Sequence, residues 1–147
     1  MNQSERELLI KYLSESHALN LATAIDNIPS NRDVFYFLPE EFSNMLYITT
    51  PNESRKVIEI KANPNVSFVT VPTDADNGVV TSNSATAKLS DLGILDVCPL
   101  IAKQIPDWEA TVGEAVDDFV VIEVSFDTAK IFGDQGIFEL VLTEDEN

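Results

Sequence analysis

The apolar positions of this chain fall into short runs whose spacing switches between the helical and the extended period. Ser4 followed by Glu7 fits a capping box, and Leu8, Leu9, Tyr12 and Leu13 recur at helical spacing, so residues 4–14 are expected to form an amphipathic helix. From His17 to Ile25 the pattern becomes alternation. Leu19, Leu21, Thr23 and Ile25 fall on one side and Ala18, Ala22 and Ala24 on the other, which predicts a strand with one crowded face. Turn chemistry over residues 26–31, including Pro29, precedes an aromatic and β-branched run at 34–38, and a hairpin is the simplest reading. A third short strand is expected at 45–50, ended by Pro51.

A helix over 55–62 follows. Val57, Ile58 and Lys61 share a face, Ser54 stands at the capping position, and Pro64 prevents continuation. Further strands are expected at 66–71, 78–89 and 119–126, and residues 130–132 and 137–142 flank a turn at 133–136 as a last hairpin. Between them, residues 90–112 are interrupted by Gly93, Pro99 and Pro106 and read as irregular and partly helical. Short strands joined by turns, with helices inserted at a few points, do not make a parallel doubly wound sheet. They predict a mainly β fold, an antiparallel barrel of about six to seven strands with flanking helices. Residues 1–147 are expected to form a single domain, with 143–147 a frayed tail, since neither an internal repeat nor a low-complexity linker divides the chain.

Composition sharpens this picture in three places. A length of 147 residues with a hydrophobic fraction of 44% suits one packed core without disulfide staples. The net charge of −16, from 25 acids against 9 bases, repels a nucleic-acid backbone, so no nucleic-acid partner is expected and the places where bases cluster become informative. The chain has one cysteine, Cys98, and one histidine, His17. They exclude an internal disulfide and a zinc site of usual composition, so no metal is expected and the compartment reads as cytoplasmic. No apolar stretch has signal-peptide or membrane-spanning length, so neither export nor a membrane partner is expected.

Chemistry concentrates in Leu46-Tyr47-Ile48-Thr49-Thr50-Pro51-Asn52-Glu53-Ser54-Arg55-Lys56, which runs from a strand through a polar loop into a helix start. Unpaired N–H groups and the positive end of the helix dipole favour an anion there. Thr49, Thr50 and Ser54 offer hydroxyls, Arg55 a planar fork and Lys56 a mobile point charge. Adjacent bases also suit a solvated helix start. Arg32 is expected at the start of the second strand, where a hairpin with the third brings it toward the same pocket; otherwise it is an exposed strand-edge cation. Elsewhere the structural readings prevail. His17 makes a structural hydrogen bond at a strand start, Cys98 is an inert thiol among Val97, Leu100 and Ile101, and Glu114, Asp117 and Asp118 form a solvated acidic turn.

Taken in order, an N-terminal helix, Leu21-Ala22-Thr23, Arg32 with Val34, Leu46-Tyr47-Ile48-Thr49-Thr50, Ser54-Arg55-Lys56 and Asn63-Pro64-Asn65-Val66 resemble the pyridoxamine 5'-phosphate oxidase-like FMN-binding split-barrel family. The match covers about residues 4–90 and, more weakly, 119–126. The resemblance implies a split barrel and a homodimer with FMN at the subunit interface. It also implies that Arg32, Val34 and their strand line the cofactor site, and that Thr49 or Thr50 holds the phosphate together with Ser54, Arg55 and Lys56. Trp108 either stacks on a flavin across the dimer or packs within the chain.

Two departures bear on activity. Ser82-Asn83-Ser84-Ala85-Thr86-Ala87 stands where the family often has Gly-x-Ala, and the C-terminal Arg and His motif that recognises pyridoxal phosphate has no counterpart after Phe126. The resemblance therefore implies an FMN-dependent oxidoreductase acting on a small molecule other than vitamin B6, through hydride transfer at the flavin. The alternatives are a flavin-storing or flavin-sensing protein without turnover, and a cofactor-free dimeric interaction protein.

Overall fold

Asp26 and Asn27 both sit at positive φ, 51° and 65°, and turn the chain so tightly that Ile25 faces Ile28. Two left-handed residues in succession match the twist of a hairpin, and Asp and Asn tolerate that conformation better than other side-chain-bearing residues. The turn expected over 26–31 is therefore only these two residues. Strand β1 (Ala18–Ile25) leads directly into β2 (Ile28–Phe37), with Pro29 inside the strand opposite Ala24. The structure, a computed structural model, describes residues 1–143; most of the tail expected at 143–147 lies outside them.

The remaining strands are β3 (Met45–Pro51), β4 (Asn65–Val71), β5 (Val79–Leu89), β6 (Phe119–Phe126), β7 (Thr128–Gly133) and β8 (Gly136–Val141). Their spatial order is β4-β1-β2-β3-β6-β5, and β5 pairs back onto β4, which closes a six-stranded antiparallel barrel among the described residues. The β7–β8 hairpin extends from the first part of β5, making eight strands in the whole sheet. The period-two alternation sends Leu19, Leu21, Leu46, Ile48, Phe68, Ile122, Val124 and Phe126 into one core.

Helix α1 (Gln3–Ser14) lays Leu9, Tyr12 and Leu13 on that core. Its cap is Asn2, whose Oδ1 accepts from the Glu5 N–H at 2.8 Å, so the expected Ser4–Glu7 box lies inside the helix. Helix α2 (Arg55–Ala62) has the expected span but buries a different face. Val57, Glu59 and Ile60 point inward, while Ile58 is 63% exposed and Lys61 lies in solvent.

The irregular region resolves into helices α3 (Ile94–Gln104) and α4 (Trp108–Val112) and a 3-10 turn (Gly113–Asp118). They pack a second apolar cluster against the outer face of β2, β3 and β6. In it Ile94, Val97, Ile101 and Trp108 meet Phe37, Tyr47 and Val121. The Gln104 amide fastens α3 to the end of β2, accepting from the Leu38 N–H and donating to its carbonyl, each at 2.8 Å.

One seam of the barrel opens. The β2–β3 ladder consists of Tyr36 opposite Ile48 and Phe37 opposite Tyr47. Before that point β2 stays paired with β1, and after it β3 stays paired with β6, so the two strands diverge from Phe35 and Thr49 onward.

Candidate functional site

The divergence of β2 from β3 leaves a cavity of about 260 Å³. It is lined by Val34 and Phe35 of β2, Thr49, Thr50 and Pro51 of β3 and Lys56 of α2, with Ala18 and Asp33 beside them. Along it run backbone groups of both strands that the short β2–β3 ladder does not use.

At one end of this cavity stands a chain of polar contacts. Lys56 Nζ donates to Thr50 Oγ1 at 2.6 Å, and the Thr50 hydroxyl donates to Ser54 Oγ at 3.0 Å. Ser54 occupies the N-cap position of α2, yet its side chain makes no capping bond. The expected cap is thus replaced by the hydroxyl contact with Thr50, and the first-turn N–H groups keep no side-chain partner there. Burial holds the Lys56 ammonium below the usual lysine range, and the Arg32 charge adds to the effect, opposed by Glu59. A half-buried ammonium at a helix start, next to two hydroxyls, is an environment that an anion would relieve.

Arg32 sits elsewhere than expected. It lies in the middle of β2, and its Nη2 bonds Glu59 Oε1 at 2.8 Å, while Nη1 donates to Thr23 Oγ1 at 3.0 Å and to the Leu21 carbonyl at 3.2 Å. The Thr23 hydroxyl donates to Glu59 Oε2 at 3.1 Å, so both carboxylate oxygens are engaged. Glu59 is only 2% exposed, and this network is what satisfies it. Arg55 is 81% exposed and reaches the same buried carboxylate from the solvent side, its Nε 3.9 Å away at i,i+4 spacing.

Of the seven residues expected at the site, Val34, Thr49, Thr50 and Lys56 line the cavity and Ser54 joins through Thr50, whereas Arg32 and Arg55 gather about Glu59. Both threonines lie on the cavity, and Thr50 is the one that touches Lys56. Sequence reasoning missed Glu59 and Phe35. The signal for Glu59 was present: with Val57 and Ile60 on one face of a helix, residue 59 borders that face, three residues from Lys56 and four from Arg55.

The motif residue Asn63 has a physical role as well. Its Nδ2 donates to the Ala24 carbonyl and its Oδ1 accepts from the Asn65 N–H, tying the end of α2 to β1 and turning the chain into β4. In the fifth strand, Ala85 and Ala87 belong to the barrel core, and Ser82 Oγ donates to the Thr128 carbonyl at 2.7 Å beside a bulge opposite Val66 and Phe68. The cavity draws no lining residue from that strand.

Trp108 is buried in the second cluster, edge-on to Phe119, so packing within the chain is its role here. Cys98 is half-buried, and burial together with Glu109 pushes its thiol up, away from the reactive thiolate. The His17 side chain is exposed. It is the His17 carbonyl that accepts a hydrogen bond, from the Tyr36 N–H. Glu114, Asp117 and Asp118 are exposed in the 3-10 turn, and among the described residues no group of three or more His, Cys, Asp or Glu could hold a metal ion.

Comparison with known proteins adds a family and a set of folds. The family profile described as "Pyridoxamine 5'-phosphate oxidase-like" matches residues 12–137. Among solved structures, a putative pyridoxamine 5'-phosphate oxidase from Listeria innocua superposes with a TM-score of 0.63 at 20% identity, over 90% of this chain and 100% of that one. General Stress Protein 26 from Bacillus anthracis gives 0.67 at 18% identity, over 94% and 100%. A heme binding protein from Mycobacterium smegmatis gives 0.71 at 14% identity, over 95% of this chain but 60% of that one. Comparison with curated proteins finds no match.

Proposed function

The chain belongs to the pyridoxamine 5'-phosphate oxidase-like family, and from that premise we propose that it binds FMN in the seam between β2 and β3. The observation that carries this reading is the half-buried Lys56, bonded to Thr50 and set at the start of α2, in a chain of net charge −16. In such a field a phosphate needs a local positive site, and this one combines an ammonium, two hydroxyls and uncapped helix N–H groups. Arg55 lies exposed on the same helix turn and can add a second positive charge from solvent. Val34, Phe35 and the free backbone edge of β2 are left for a flat polar ring, which needs an apolar face and hydrogen-bonding groups along one rim.

About 260 Å³ falls below the volume usual for a cofactor pocket. Phe35 beside the cavity is 49% exposed, and both facts suit a homodimer in which a second copy completes the site. Bound FMN would supply hydride transfer, and this chain's part is to hold and orient it and to keep its phosphate neutralised. The substrate we propose is a small molecule other than vitamin B6, as residues 127–147 contain neither Arg nor His to meet a pyridoxal phosphate group. Among the described residues no helix is long and apolar enough to cross a membrane; we place the protein in the cytoplasm on its cysteine content.

The test is the absorption spectrum of the purified protein, with FMN added if it is colourless, followed by NADH or NADPH under anaerobic conditions. Flavin bands that bleach support an oxidoreductase, bands that persist support a flavin carrier, and failure to bind added FMN sinks the reading.

A pH dependence follows from Lys56. Its ammonium is present below its lowered pKa and lost as pH rises through it, while a phosphate monoester becomes a dianion above about pH 6. FMN affinity should therefore be highest between these limits and should fall on the alkaline side earlier than an ordinary lysine would dictate. Titrations across pH check this, with riboflavin, which lacks the phosphate, expected to show no such fall.

A further inference from the structure

Helix α2 meets the barrel through polar contacts at three successive levels: Lys56 to Thr50 of β3, Glu59 to Thr23 of β1 and Arg32 of β2, and Asn63 to the Ala24 carbonyl. Only the first of these lies in the cavity. The second is the most constrained. Glu59 is 2% exposed, with one carboxylate oxygen taken by Arg32 and the other by Thr23, and Arg32 is itself pinned by Thr23 and the Leu21 carbonyl. A buried carboxylate with two fixed partners has few other low-energy positions, so it sets the rotation and height of the helix one turn from Lys56.

Resting on the reading that a phosphate binds at Lys56, we infer that Glu59 is the positioning residue of that site, and that Arg32 acts through Glu59 instead of gripping the phosphate. The guanidinium is directed to the carboxylate and to Thr23, and it is absent from the cavity lining that contains Val34, Thr49, Thr50 and Lys56. Lys56 lies within the cavity, Arg55 outside it with a loose 3.9 Å contact to Glu59 that a ligand could displace, and Arg32 is held by Glu59 at 2.8 Å. The ligand chemistry this fits is a phosphate monoester on a larger group, met by an ammonium and by helix N–H groups whose direction Glu59 fixes.

The experiment measures FMN and riboflavin affinities for the wild-type protein and for Glu59→Ala, Glu59→Gln, Arg32→Ala and the Arg32→Ala/Glu59→Ala double variant, with circular dichroism confirming the fold of each. The difference between the two flavins isolates the phosphate grip from general damage, which lowers both affinities alike. Glu59→Ala is expected to weaken FMN about tenfold or more while changing riboflavin less than about twofold, and the double variant is expected to be no worse than Glu59→Ala, as residues acting through one contact are not additive. Glu59→Gln keeps the shape and one acceptor. It should therefore fall between wild type and alanine, and it carries the test if Glu59→Ala does not fold.

An additive further loss from Arg32→Ala in the Glu59→Ala background would overturn the inference, because Arg32 would then touch the phosphate itself. So would a gain in FMN affinity on removing Glu59, or equal losses for both flavins. A wild-type protein that does not prefer FMN over riboflavin would overturn the phosphate reading, and this inference with it, before any variant is considered.

Discussion

Replacing both Arg55 and Lys56 with alanine is expected to reduce FMN affinity by about ten- to a hundredfold, with most of the loss already present in Lys56→Ala. Hydrogen bonds to charged groups contribute roughly 1.5–3 kcal/mol each, which is about ten- to a hundredfold in affinity for the contact that is fully formed. In the proposed site Lys56 is that contact. It is partly desolvated, held against Thr50 at 2.6 Å and placed in the cavity wall, so its charge acts through little water. Arg55 is 81% exposed and acts across solvent, so Arg55→Ala alone should have a small, salt-dependent effect. Flavin-fluorescence titration of the single and double variants at two ionic strengths reads both contributions. Equal losses from the two single variants would mean that the phosphate sits outside the cavity, over the exposed end of the helix.

The second large effect concerns stability. Gly78 lies directly before β5, and the ring of Tyr12 from α1 is packed on it so closely that a Cβ added at residue 78 would overlap the ring carbons. The hydroxyl end of the same ring passes Gly133 of β7 in the same way. Tyr12 is 1% exposed and has no space to retreat into. Gly78→Ala should therefore destabilise the fold by about 1–3 kcal/mol, the range for overpacking a core, and lower Tm by several degrees. Thermal unfolding of the variant checks this, and a smaller side chain at residue 12 should restore part of the loss. The need for a residue without a side chain here comes from this close approach, since Gly78 does not have a positive φ.

Much of the fold could be read along the chain because its signals are local. The end of α2 follows from Pro64 after it, and β6 from the β-branched and aromatic run Phe119-Val120-Val121-Ile122 with Val124 and Phe126. The antiparallel barrel follows from short strands joined by turns. What depended on contacts between distant segments was not legible. Pro29 signals a turn by composition, yet a two-residue turn at Asp26 and Asn27 completes the reversal before it. Val57 and Ile60 mark the inward side of α2, but no property of residues 55–62 alone reveals that Arg32 and Thr23 meet Glu59 there. For the same reason the charge of Arg32 is visible in the sequence and its carboxylate partner is not. The divergence of β2 from β3, which makes the cavity, arises from each strand pairing with a different neighbour and has no single-residue signature.

The family-ordered residues thus divide into three physical groups. Val34, Thr49, Thr50 and Lys56 line the cavity, Arg32 and Arg55 lie about a buried acid, and Asn63 fastens a helix end.

A paired titration of the wild-type protein with FMN and with riboflavin, near neutral pH and low ionic strength, tests the phosphate site most directly. Saturable binding of FMN, with riboflavin bound at least about tenfold more weakly, is the predicted result, since one charged contact alone contributes that much. Equal affinity for the two flavins, or no binding of FMN, would contradict the claim that Lys56 and the start of α2 form a phosphate site.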